Sequence, residues 1–467
     1  MLSAPVGAAR TALCVLAVLT LHLPAIAQIE SRSTADKLAE LERTAEAEMS
    51  ATGTPGSAVL LVQGDKVIYA KGFGSTSVEG GAPVTPDTLF RIGSTTKMFT
   101  AATFAMLADR KKVRFDAPVA DYLPTLPPKI GRLTAHQLLS QSSGLRDMDT
   151  GVISDDDIAL SRNVAMWRDD AFFTDPSTIY SYSSANFWLA GLIVEKVHGK
   201  PYADAMSELL FQPLGMKRSF LRPREAMTYP LALGHNRQGA THTVNRPAAN
   251  NAAIYPGGSI FSSVNELSRW LLAMLNGGMI EGKQAVQRSV VEALFKRQFD
   301  LPGGDAYYSY GLLGYDVGGV KTISHGGVSR GYGATIFFAP EHKFAYVMLT
   351  NSNGQTLPKT RQKANELFLP LKADTSQAPS GPTAAVDLKR YSGRYEHAPQ
   401  VWEFSVRERK LYVATEGKEY ELKPEGKDQF SYEGGPVLFV ANSKGEFEHI
   451  FMGLYAARRT SRLQENQ

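Results

Sequence analysis

Gly93-Ser94-Thr95-Thr96-Lys97-Met98-Phe99-Thr100-Ala101-Ala102-Thr103-Phe104-Ala105-Met106-Leu107-Ala108 is the stretch on which the fold of this chain turns. From 98 to 108 it has almost no polar side, which predicts a helix buried all round rather than an amphipathic one. Ser94 and Lys97 are three residues apart, so on a helix they share a face. Lys97 then stands at the wall of a core. Burial disfavours its ammonium and lowers its pKa, so that the amine can take the proton of Ser94 Oγ and make the serine a nucleophile. Gly93 permits a close backbone approach, and N–H groups at a helix start can hold an oxyanion. The bland alternative is an N-capping serine beside a snorkelling lysine, so the rest of the chain must decide.

The chain has 467 residues, enough for two or three structural units. Lys and Arg number 50 against 46 Asp and Glu, with no basic block, which excludes nucleic acid and anionic membranes as obvious partners and points to a small substrate. At the N-terminus Arg10, an apolar run over 12–23 and Ala25-Ile26-Ala27 before Gln28 are expected to form a secretory leader over 1–27. The mature protein is then periplasmic or secreted and keeps no stable membrane anchor; an uncleaved signal anchor is the other reading. Cys14, the single cysteine, lies in that leader, with Leu13 before it a poor fit to a lipoprotein signal. Cleavage removes every route to disulfides and thiolate metal sites. Nine scattered histidines and no His-Glu-x-x-His argue against metal hydrolysis.

Residues 33–50 carry Leu38, Leu41, Ala45 and Met49 at helical spacing. Two hairpins follow far apart in sequence. Ala58-Val59-Leu60-Leu61-Val62 and Val67-Ile68-Tyr69-Ala70 turn through Gly64-Asp65; Ala334-Thr335-Ile336-Phe337-Phe338 and Phe344-Ala345-Tyr346-Val347-Met348-Leu349 turn through Pro340-Glu341-His342-Lys343. Between them lie helical stretches at 135–141, 187–197 and 264–276. An α+β domain follows, its sheet assembled from both ends of the chain. Residues 372–385 read as a linker, and from 386 to 467 short closely spaced strands predict a small antiparallel barrel. Its aromatics Tyr391, Tyr395, Trp402, Phe404, Tyr412, Phe430 and Phe439 are expected to form its core.

Two further stretches carry chemistry. Tyr180-Ser181-Tyr182-Ser183-Ser184-Ala185-Asn186 is crowded with hydroxyls before an apolar helix. A tyrosine there, near a lysine ammonium, ionises more easily or relays a proton between Ser94 and a leaving group; alone, the segment is an N-cap with a surface aromatic. His325-Gly326-Gly327 precedes a strand, and successive glycines let a substrate lie against backbone groups; alone, it is an ordinary glycine turn. Gly327-Val328-Ser329-Arg330-Gly331 matches Gly-x-Ser-x-Gly literally, making Ser329 the rival nucleophile of an α/β-hydrolase, although a strand rather than a helix follows it.

In this order and at these separations the pieces resemble the serine β-lactamase and penicillin-binding-protein family, particularly its class C-like branch with D-peptidases and family VIII esterases. The family's Ser-x-x-Lys falls on Ser94 and Lys97, its Tyr-x-Asn on Tyr182 and Ser184, and its Lys-or-His-x-Gly on His325 and Gly327. Phe115-Asp116-Ala117-Pro118-Val119, Leu138-Leu139-Ser140-Gln141-Ser142-Ser143-Gly144-Leu145, Pro213-Leu214-Gly215-Met216 and Leu349-Thr350-Asn351 look like family segments too. The resemblance implies a β-lactamase/transpeptidase-like domain over 28–371, an antiparallel sheet flanked by helices with a helical subdomain. It implies catalysis by Ser94, Lys97 and Tyr182, an oxyanion hole from the backbone N–H of Ser94 and Val328, substrate contacts from Ser184, His325, Gly326, Gly327 and Arg330, and an acyl-enzyme with no metal or organic cofactor.

Residues 386–467 look like the lipocalin-like barrels appended to some members, expected to shape access to the site or assembly into a homo-oligomer. Ser184 replaces the motif's carboxamide and His325 its common lysine; Arg330 is the candidate to restore that charge. These departures lean towards esters or short peptides, including those with D-residues, and away from β-lactams. β-Lactamase or D-Ala-D-Ala carboxypeptidase activity, and a sensor that acylates without turnover, are the alternatives.

Overall fold

Gly56–Gln63 is buried on both faces, which is why its sequence is a continuous apolar run rather than an alternation. Ala58, Leu60 and Val62 enter one hydrophobic core and Val59 and Leu61 another, on opposite sides of the sheet. The computed structural model describes residues 32–239, 241–248, 250–372 and 387–461. The expected leader, and all but the first residue of the expected linker, lie outside them.

The central sheet has eight antiparallel strands in the order Lys66–Gly74, Gly56–Gln63, Phe344–Thr350, Tyr332–Ala339, Val320–Ser329, Leu313–Val317, Tyr307–Tyr308, Phe299–Asp300. The two predicted hairpins are therefore neighbours along one side of it, with Leu60 opposite Val347. One face is covered by the helices Thr34–Thr52 and Pro358–Phe368, tied together where Glu48 accepts the backbone N–H of Lys359 and Thr360 at 3.0 and 2.8 Å. That carboxylate satisfies orphan donors at the start of the second helix. The other face carries the helical region, built around Thr96–Asp109 and Ser184–His198. Thr96 to Leu107 is buried at every position, so the all-apolar pattern reflects a helix enclosed by its neighbours.

Ser329 ends a strand that turns directly into Tyr332–Ala339. No helix follows it and the sheet is antiparallel, so the strand-to-helix elbow that the Ser329 reading requires is absent.

The C-terminal unit is a nearly closed antiparallel barrel of nine strands. Its interior is filled by Tyr391, Tyr395, Phe404, Phe430, Phe439 and Phe447, a packed core with rings meeting at 4.5 to 6.0 Å. Four of its strands, Gly393–His397, Lys423–Gly426, Gln429–Tyr432 and Ala456–Ser461, leave no clear strand signal in the sequence; the last carries Arg458, Arg459 and Thr460, too polar to signal a strand. Among the described residues no helix is long and apolar enough to cross a membrane.

Candidate active site

Ser94 sits in a single 3-10 turn, Gly93–Thr95, that leads into the buried helix. Gly93 holds φ at +54°, and a Cβ on it would lie 2.7 Å from the backbone N and O of Val328. Only a glycine lets the two backbones approach this closely. The same closeness recurs one residue earlier on the strand, where a Cβ on Gly327 would meet Ile92 O at 2.0 Å. The backbone of Val328 is thereby held against the turn that carries Ser94, a proximity that an oxyanion hole shared by the two amides requires.

Lys97 Nζ lies 3.2 Å from Ser94 Oγ, 3.5 Å from Ser184 Oγ and 2.7 Å from Gly257 O. The side chain is fully buried. Its amine also sits 4.7 Å from the ring centroid of Tyr182 and 5.7 Å from that of Phe187. Burial pulls its pKa down to about 7, partly opposed by the charge of Asp147. The amine is thus divided between neutral and charged forms near pH 7, poised as a base.

Ser94 acts on the Tyr182 hydroxyl to lower its pKa, but the net shift runs opposite to the sequence expectation. Desolvation pushes the phenol well above its ordinary range, and Asp147 and Tyr455 add to this. Tyr182 therefore stays protonated beside Lys97 and suits a relay rather than a phenolate base.

Ser183 is the N-cap of the helix Ser184–His198, yet its side chain does not cap it. It donates instead to Arg146 O at 2.8 Å, while Asp147 Oδ1 accepts the Ser184 N–H at 2.7 Å. Gln141 Oε1 accepts from Ser183 N–H and from Asn186 Nδ2 at 2.9 and 2.5 Å, and fixes the turn that presents Tyr182. Asp147 and Gln141 are thus positioning groups for Tyr182 and Ser184. Gln141 lies in a segment singled out from sequence, whereas nothing local marks Asp147.

His325 is buried and neutral. Its partners assign the tautomer: Nδ1–H donates to Gly326 O at 2.6 Å and Nε2 accepts from the Tyr308 hydroxyl at 3.0 Å. Burial and Lys97 lower its pKa to about 3. Arg330 is exposed beyond the end of the strand and does not line the cavity over Ser94, so it does not restore the positive charge.

That cavity, about 400 Å³, is bounded by Ser94, Tyr180, Tyr182, Tyr308, Leu313, Ser324, His325, Gly326 and Val328, and by Leu454 and Tyr455 of the barrel. Among the described residues no Asp, Glu, Lys or Arg lines it. The site is an aromatic, uncharged pocket with the Ser94 hydroxyl at its wall. Tyr308, Leu454 and Tyr455 reach it only through tertiary folding and carry no motif.

A sequence model of the Beta-lactamase family matches residues 41–368. Protein flp of Staphylococcus aureus (strain N315) is 24% identical over 344 residues, 72% of this chain and 67% of that protein. Penicillin-binding protein 4 of Amycolatopsis lactamdurans is 28% identical over 364 residues, 73% of this chain and 93% of that one. Among solved structures, the octameric penicillin-binding protein homologue from Pyrococcus abyssi superposes with a TM-score of 0.64 at 23% identity, over 90% of this chain and 99% of that one. SurE superposes with a TM-score of 0.74 at 21% identity, over 91% and 100%. At such identities the structural likeness speaks for the fold.

Proposed function

We propose, from the premise that this chain belongs to the Beta-lactamase family, that it is a serine hydrolase cleaving neutral esters or amides of small apolar substrates through an acyl-enzyme. The observation that carries the reading is Lys97 Nζ at 3.2 Å from Ser94 Oγ, buried and with its pKa drawn down to about 7.

In the first half-reaction neutral Lys97 takes the Ser94 proton as Oγ attacks the carbonyl carbon, and the oxyanion lies between the amides of Ser94 and Val328. The tetrahedral intermediate collapses with loss of the leaving group, which receives a proton relayed from Lys97 through the Tyr182 hydroxyl. In the second, a water attacks the acyl carbon, its proton passes to Lys97 through the same pair, and Ser94 leaves and is reprotonated. The starting state is restored.

The neutral His325 and the uncharged lining support a preference against substrates that must bind through a carboxylate, which sets β-lactams and D-Ala-D-Ala peptides behind simple esters. A second reading, cleavage next to a D-residue, is favoured by the likeness to SurE, whose structure was also solved with D-Leu. Export to the periplasm or medium is proposed on the leader-like pattern of 1–27, with the mature N-terminus as its test. Assembly into a homo-oligomer is proposed from the octameric neighbour and tested by light scattering.

The deciding experiment is intact-mass detection of acylation with p-nitrophenyl esters, a chromogenic cephalosporin and D-alanyl peptides, on the native chain, Ser94→Ala and Ser329→Ala. The expected result is an acyl adduct abolished only by Ser94→Ala, rapid turnover of short esters and slow or absent cephalosporin hydrolysis. Full activity in Ser94→Ala overturns the reading, and an adduct that forms once and never clears replaces it with a sensor.

A further inference from the structure

The turn 452–455 joins two barrel strands, Phe447–Phe451 and Ala456–Ser461, yet it lies in the cleft of the other unit. It is a compact turn: Met452 N–H donates to Tyr455 O at 2.8 Å, Leu454 N–H to Met452 O at 3.0 Å, and Gly453 adopts φ +78°. Two hydrogen bonds fasten it to the segment that bears the relay tyrosine. Tyr182 N–H donates to Leu454 O at 2.9 Å, and Ala456 N–H donates to Ser181 Oγ at 3.1 Å. The Tyr455 ring meets that of Tyr182 edge-on, with centroids 6.2 Å apart at 90°. Phe451 and Ala456, which flank the turn, belong to the core of the catalytic unit and not to that of the barrel. The seat of this turn is built.

Leu454 and Tyr455 nonetheless keep 49% and 36% of their surface open, and Val328, which lines the same cavity, keeps 57%. Large apolar side chains so exposed around one cavity mouth mark a surface made to be covered by an apolar ligand. Tyr182 carries the proton to the departing group, so whatever stands against Tyr182 stands beside that group.

We infer that Leu454 and Tyr455, supplied by the C-terminal barrel, form the wall of the leaving-group pocket and determine which alcohols or amines the enzyme releases. The inference rests on the hydrolase reading above and names the part of the substrate that the barrel selects. An apolar contact of this kind discriminates about tenfold or more between ligands that fill it and ligands that do not.

The test compares the native protein with Leu454→Ala, Tyr455→Ala and Tyr455→Phe on two series of substrates. One series holds the acyl group as acetyl and varies the leaving group from phenol to 4-tert-butylphenol and 2-naphthol; the other holds p-nitrophenol and lengthens the acyl chain. Each truncation is expected to change the bulky-to-small ratio of kcat/KM in the first series by about tenfold, mainly through KM, and to leave the acyl-chain ratio within about threefold. Tyr455→Phe keeps the ring and is expected to match the native ratio.

An unchanged leaving-group ratio in a truncation that stays folded and active overturns the inference, as does a shift confined to the acyl series. The two truncations are read separately, and Tyr455→Phe guards against a general loss of structure. If diethyl p-nitrophenyl phosphate leaves no adduct on Ser94 of the native protein, it is the hydrolase reading that has failed. If the adduct forms and the ratios do not move, only the role of the barrel has.

Discussion

The backbone N–H of Ser184 donates to Asp147 Oδ1 at 2.7 Å, which sets a carboxylate in the electrostatic surroundings of Lys97. Desolvation raises the pKa of Asp147, while Lys97 and the Ser184 bond pull it back. The same carboxylate raises the pKa of Lys97 against a larger fall from burial. Asp147→Asn keeps an oxygen for the Ser184 N–H and removes the charge. The pKa of Lys97 is then expected to fall below about 7, shifting the acidic limb of kcat/KM to lower pH in a stopped-assay profile. A profile displaced to higher pH contradicts the assignment.

In the native protein kcat/KM is expected to rise with pH through about 7, because the neutral amine is the base and the ammonium is inactive. Lys97→Ala removes that base and is expected to lower kcat by roughly 10²–10⁴-fold. Tyr182→Phe keeps the ring packing and deletes the relay, so it is expected to lower kcat by at least about 10²-fold with little change in melting temperature.

Two neighbouring glycines should respond oppositely to alanine. A Cβ on Gly327 would fall 2.0 Å from Ile92 O, whereas one on Gly326 meets nothing within 4 Å. Gly327→Ala is expected to cost about 1–3 kcal/mol of stability, and to lower kcat/KM by about 10²-fold by separating Val328 from Ser94. Gly326→Ala should melt like the native protein. Equal melting curves for the two would contradict the close approach of this strand to the serine turn.

His449 on the barrel is hydrogen-bonded through Nε2 to Thr174 Oγ1 at 2.9 Å, and burial lowers its pKa to about 4. Its folded pKa lies below the unfolded one, so between these values the unfolded chain binds more protons and stability falls as pH falls. Denaturant titrations should show a loss of up to about 1.4 kcal/mol per pH unit between pH 6.5 and 4 from this group. His449→Gln keeps a hydrogen-bonding side chain without the titration and should flatten that slope.

The strands Gly56–Gln63, Tyr332–Ala339 and Phe344–Thr350 were legible because burial on both faces leaves long apolar runs, as in Ala334-Thr335-Ile336-Phe337-Phe338. Ser94 and Lys97 were legible because one helical turn relates them. Local sequence does not tell which term dominates a pKa. Proximity of Lys97 to Tyr182 suggested an easily ionised phenol, but enclosure on all sides pushes it the other way, and enclosure is a property of the whole fold. Tyr308, Asp147 and the 452–455 turn reach the site from distant segments, with no spacing that periodicity can register. Arg330, adjacent in sequence to the strand that lines the cavity, lies at its exposed end.

The span of 275 residues between Ser181 and Ala456 bears on the order in which a ribosome delivers the parts. A nascent chain carries Ser94 and Lys97 long before the turn that bonds to Tyr182 has been translated. Closing so wide a loop exacts an entropic toll and makes this among the later contacts to form. The cleft thus stays without one of its walls until the barrel has emerged.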